Sequence, residues 1–102
     1  MKIVNETEFD KTISSGVTMV DFFADWCGPC KMIAPVIEDL SGDYEGKVNF
    51  IKVNVDQEGA LAQRYGVMSI PTLILFKDGE IVDQVLGFQP KPALQNFINK
   101  AV

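Results

Sequence analysis

Apolar and polar positions along this chain change period several times, and each change marks an element. Ile3-Val4 reads as a short first strand. Asn5 then caps a helix, Glu8 completes a capping box with it, and Phe9 and Ile13 share one apolar face. Ser14-Ser15-Gly16 ends that helix. Val17 to Ala24 is almost continuously apolar, as expected of a central strand covered on both faces. From about Pro29 to Ser41 the spacing becomes helical, with Ile33, Val36, Ile37 and Leu40 on the buried side. Val48 to Val55, rich in β-branched residues, is the next strand. Strand, helix and strand in that order predict a parallel pair joined by a crossover.

A short helix over Ala60 to Tyr65 follows and stops at Gly66. Thr72 to Lys77 and Ile81 to Leu86 then flank Asp78-Gly79, a two-residue hairpin turn. A last helix near Pro92 to Ala101 buries Leu94, Phe97, Ile98 and Ala101. The expected fold is α/β, a mixed sheet of four or five strands with helices on both faces. No repeat, low-complexity tract or linker interrupts the chain, so residues 1–102 are read as one domain.

Apolar residues make up 47% of the chain and charged residues 23%, a balance that supports a core without metals or cross-links. The longest apolar runs, such as Leu73 to Phe76, are far too short to span a bilayer. Acidic residues appear by Glu6, too early for the apolar core of a signal peptide, so a cytoplasmic protein is expected. The net charge of −5 with scattered Lys and Arg argues against nucleic acid as a partner. Histidine is absent, which removes the usual general base and the commonest zinc ligand.

The remaining chemistry concentrates in Trp26-Cys27-Gly28-Pro29-Cys30-Lys31, where a buried strand becomes a helix. A helix start offers unpaired N–H groups and the positive end of the macrodipole, both of which stabilise a thiolate on an exposed first cysteine. Residues three apart on a helix have Cβ atoms ~5–6 Å apart, against ~3.5–4.5 Å in a disulfide. The bridge forms if Cys27 sits at the helix edge, and Pro29 suits the first turn. Three readings compete. A structural staple over four residues restrains the unfolded chain by only about 2 kcal/mol. Half a zinc site needs two more ligands, which only a second copy supplies. Redox exchange is favoured because it needs the two cysteines alone.

Asp21 interrupts the central strand, and alternation aims its side chain with Val17, Met19 and Phe23 toward a covered face. Burial there raises its pKa. Either Asp21 is partly solvated or simply paired with Lys52 of the neighbouring strand, or it accepts the proton of Cys30.

These motifs resemble the thioredoxin family over essentially the whole chain. The resemblance rests on Val20-Asp21-Phe22, Trp26 to Lys31, Pro35, Lys52 to Asp56, Ile70-Pro71-Thr72, Phe76 to Gly79 and Gly87. It implies the thioredoxin fold and a protein disulfide reductase, with Cys27 as nucleophile and Cys30 as resolving thiol. It also implies that Asp21 is a buried carboxylate with Lys52 close by. Pro71 matches the family's cis-proline, although X–Pro bonds are mostly trans. Pro35 kinks the active-site helix. By the same resemblance Trp26, Gly28, Pro29, Ile70, Pro71 and Gly87, with Phe88, form an apolar surface that docks disulfide-containing target proteins. No metal, flavin or nucleotide is needed within the chain. A monomer is expected, recycled by a separate thioredoxin reductase, a flavin enzyme using NADPH. Phe23, Met68-Ser69 and Pro90 depart from the family's common residues, which are a second tryptophan, a glycine-containing segment and a polar helix cap.

Overall fold

Five strands and four helices follow one another along the chain in a computed structural model that describes residues 1–102. They are β1 (Lys2–Ile3), α1 (Glu6–Ile13), β2 (Val17–Phe23), α2 (Gly28–Asp43), β3 (Val48–Asn54), α3 (Gly59–Arg64), β4 (Thr72–Lys77), β5 (Glu80–Leu86) and α4 (Lys91–Ile98). The strands form one sheet in the order β1-β3-β2-β4-β5. β1, β3 and β2 run parallel, whereas β4 and β5 are antiparallel to their neighbours. This is the mixed sheet of the thioredoxin fold, with the β2-α2-β3 crossover where the sequence predicts it.

Strand alternation divides the core into two layers. Met19, Phe50, Leu73 and Leu75 face α2 and α4, where Ile33, Ile37, Leu94 and Phe97 meet them. Val20, Phe22, Ile51, Val53, Ile74 and Phe76 face the opposite side, under Phe9 and Ile13 of α1 and Leu61 of α3. β2, between two neighbours and under helices on both faces, is buried throughout except at Val17.

Local chemistry sets the ends of the elements. The Asn5 side chain accepts the Glu8 N–H at 3.0 Å and the Glu8 carboxylate accepts the Asn5 N–H at 3.1 Å, closing the expected capping box. Asp78 and Gly79 both have positive φ, 51° and 85°, as a hairpin turn that follows the sheet twist requires. Helix α2 continues through Pro35 and past Gly42 to Asp43, two residues beyond the expected end. Helix α4 begins after Pro90, which supplies no side-chain cap, and its regular turns stop at Ile98, three residues short of Ala101. No helix is long and apolar enough to cross a membrane.

Candidate active site

The chain leaves the C-terminal end of the central strand β2, and the next few residues turn it into α2. Cys27 is the N-cap, extended at φ −84° and ψ 113°, and its Sγ accepts the Cys30 N–H at 3.2 Å. Cys27 and Cys30 are joined as a disulfide, with Cα atoms 5.2 Å apart. The bridge is reachable because the first cysteine stands outside the helical spiral, so its Cβ escapes the spacing of residues three apart within a helix. Pro29 occupies the first turn, where a missing N–H removes no helical hydrogen bond. That turn carries no acidic residue to offset the positive helix end beside the sulfur.

The two sulfur-bearing residues do not differ in exposure. Cys27 is 4% exposed and Cys30 5%, which corrects the expectation of an exposed first cysteine. In the bonded state Cys27, Cys30, Phe23 and Ala24 form one small apolar cluster, sealed by Val55 and Ile70. What distinguishes Cys27 is its place at the cap.

The loop before β4 closes the other side. The Ile70–Pro71 peptide is cis, and the Ile70 carbonyl oxygen lies 3.7 Å from Cys27 Sγ. Pro71 is buried, and its carbonyl accepts the Gly87 N–H at 2.8 Å. Gly87 has φ 76°, a conformation that side-chain-bearing residues rarely adopt, so glycine permits this tie between β4 and the end of β5. Trp26, Gly28, Pro29 and Phe88 are exposed and Ile70 is half-buried. The docking residues named from the sequence therefore lie on the segments that frame the cysteine pair.

Asp21 is 1% exposed, and its Oδ1 has no hydrogen-bond partner. Burial pushes its carboxyl up from 3.8 to about 6, against a smaller opposing pull from the Lys52 charge. Lys52 is the register partner of Asp21 across β2 and β3, yet no ion pair forms between them. The Lys52 ammonium sits 4.2 Å from the centroid of the Phe23 ring, attracted by its negative face. Neither a solvated Asp21 nor a simple Asp21–Lys52 pair describes this site. Lys52 and Cys30 also line one cavity of about 130 Å³, with Phe23, Ala24, Asp25, Lys31 and Ala34, roomy and polar enough to admit water.

Asn54 and Asp56, offered by the sequence only as part of the Lys52 to Asp56 motif, acquire a specific placement in the structure. The Trp26 indole N–H donates to Asp56 Oδ2 at 2.8 Å, although the ring is 70% exposed. Asp56 is itself placed by buried Asn54, whose Oδ1 accepts the Asp56 N–H at 2.9 Å and the Gln57 N–H at 3.3 Å. An Asn-x-Asp step after a strand is the available signal for such a side-chain-built turn. Its link to a tryptophan thirty positions away appears only on folding. Asp56→Ala is expected to free the indole. Trp26 is the only tryptophan, so steady-state fluorescence anisotropy reads it directly and falls in the variant. Melting stability changes by less than about 1 kcal/mol, as for other exposed polar contacts. Unchanged anisotropy defeats this assignment.

Comparison with known proteins agrees with the geometry. The thioredoxin family model matches residues 1–100. The chain is 60% identical to a thioredoxin of Staphylococcus saprophyticus over 97 residues, covering 95% of this chain and 93% of that protein. Thioredoxins of Staphylococcus epidermidis and Staphylococcus aureus, at 59% and 57% identity, match with the same coverage. A likeness of that extent, on this sheet and with bonded cysteines at the cap of α2, has one consequence: the chain belongs to the thioredoxin family and is a protein-disulfide oxidoreductase.

Proposed function

We propose that this chain reduces disulfides in other proteins, with Cys27 attacking and Cys30 resolving. The observation that carries the proposal is Cys27 at the cap of α2, its sulfur facing the Cys30 N–H and bonded to the only other cysteine. In the dithiol form the Cys27 thiolate attacks one sulfur of a target disulfide. A Cys27–target bond forms, the target bond breaks, and the second target sulfur leaves as a thiolate and takes a proton from solvent. Cys30 then loses its proton to the buried carboxylate of Asp21 and attacks Cys27 Sγ. The Cys27–Cys30 bond forms, the target leaves with both sulfurs reduced, and two electrons have passed from the dithiol to the target.

Trp26, Gly28, Pro29, Ile70, Pro71 and Gly87 dock the target segment in this reading. Residues 1–102 act as one domain and as a monomer in the cytoplasm. A separate thioredoxin reductase, a flavin enzyme drawing on NADPH, restores the dithiol. The Gly28-Pro29 dipeptide between the cysteines resembles that of the reducing members of the superfamily, which supports this direction.

Insulin precipitation in dithiothreitol is the direct test. Catalytic amounts of the chain are expected to shorten the lag and steepen the turbidity rise, and the oxidised chain to consume NADPH when a thioredoxin reductase is added. A time course matching dithiothreitol alone overturns the reading.

A further inference from the structure

Of all large apolar side chains, Met68 is among the most exposed, at 97%, and it stands on the loop that meets the catalytic sulfur. Single exposed apolar residues are ordinary on protein surfaces. Met68 differs because its segment is anchored on both sides. The Val67 N–H donates to the Ala62 carbonyl at 2.9 Å, and the Val67 side chain packs against the α1–α3 core layer. Beyond it, the Ser69 carbonyl accepts the Thr72 hydroxyl and Ile70 packs against the cysteine cluster. Ordered backbone on either side leaves Met68 held out into solvent.

Two residues of chain span at most about 7 Å, so Met68 lies close to Ile70, whose carbonyl is beside Cys27 Sγ. A target cysteine bonded to that sulfur brings its own neighbours, one or two residues along, within reach of Met68. Other exposed apolar side chains lie on the framing segments: Trp26 at 70%, Met32 at 63% one turn beyond Gly28 and Pro29, and Phe88 at 42%.

We propose that Met68 is a specificity-determining contact for protein disulfides, packing on an apolar side chain one or two residues from the target cysteine. This rests on the reduction reaction proposed above. A thioether on three rotatable bonds adapts to aliphatic and aromatic partners, which suits an enzyme meeting many targets. The contact adds binding to the target and leaves the sulfur chemistry alone. It therefore changes the rate for a protein disulfide and not for a disulfide lacking such a neighbour.

The test compares the reduced wild type with Met68→Gln and Met68→Leu in second-order reactions with insulin and with glutathione disulfide. Near-complete exposure means that neither substitution disturbs the core. Met68→Gln, similar in length but polar, is expected to slow insulin reduction roughly three- to tenfold, the loss of one apolar contact. Its rate with glutathione disulfide stays at the wild-type value, and Met68→Leu keeps the insulin rate. Equal insulin rates for wild type and Met68→Gln overturn the inference, as does an equal loss on both disulfides. A wild type inactive toward insulin fails the proposed reduction itself, a result separate from either of these.

Discussion

Cys27→Ser is expected to leave insulin reduction at the background set by dithiothreitol, while Cys30→Ser attacks once and stops. A serine hydroxyl does not ionise near neutral pH and forms no bond to the target sulfur, so the first variant has no first step. The second retains the attacking thiol at the cap of α2 but lacks the group that displaces the target. It accumulates a one-to-one mixed disulfide at Cys27, visible as an intact mass adduct that dithiothreitol removes. Neither change threatens the fold, because a bridge over four residues contributes only about 2 kcal/mol through the unfolded chain. Iodoacetamide should modify Cys27 of the reduced protein faster than free cysteine at the same pH. The Cys30 N–H and the acid-free first turn both favour its thiolate. Turnover by Cys27→Ser, or an adduct trapped on Cys30, reverses the assigned roles.

The parallel β2–β3 pair and the site's location were legible because they rest on local pattern. An unbroken apolar run from Val17 to Ala24 has to be covered on both faces, and the helix and strand that follow have to return parallel to it. Element ends were less legible. Gly42 does not stop α2, and the hairpin carries an irregularity that alternation within one strand does not reveal. Phe76 pairs with Ile81 and Leu75 with Asp83, so Val82 bulges from the β5 ladder.

At the site, alternation placed Asp21 inside, because period-two geometry leaves its side chain no other direction. The fate of Lys52 was not available in that way. Its long stem reaches either the carboxylate or the Phe23 ring, and packing decides for the ring. The equal burial of the two cysteines likewise depends on Ile70, forty residues beyond Cys30, closing over both.

Asp21 should make this protein less stable as pH rises, against the usual trend for carboxylates. Its carboxyl titrates at about 6 in the folded chain and near 3.8 in the unfolded one. Between those values the folded state holds a proton that the unfolded state has released, so unfolding stability falls with increasing pH. The loss begins near pH 4 and is complete somewhat above pH 6. By then the buried ionised form costs about 3 kcal/mol relative to the unfolded chain. Asp21→Asn keeps the shape and removes the titration. Denaturant unfolding of the oxidised proteins should show the variant nearly flat across this window and about 1–3 kcal/mol more stable at pH 7, with the two curves converging near pH 4. In the proposed mechanism the same substitution removes the acceptor for the Cys30 proton. Release of target from the mixed disulfide should therefore slow at pH 7 and lose its rise around pH 6, while the first attack by Cys27 proceeds unchanged. Stability curves that run parallel defeat the buried-carboxylate account, and release rates that coincide at every pH remove Asp21 from the resolving step.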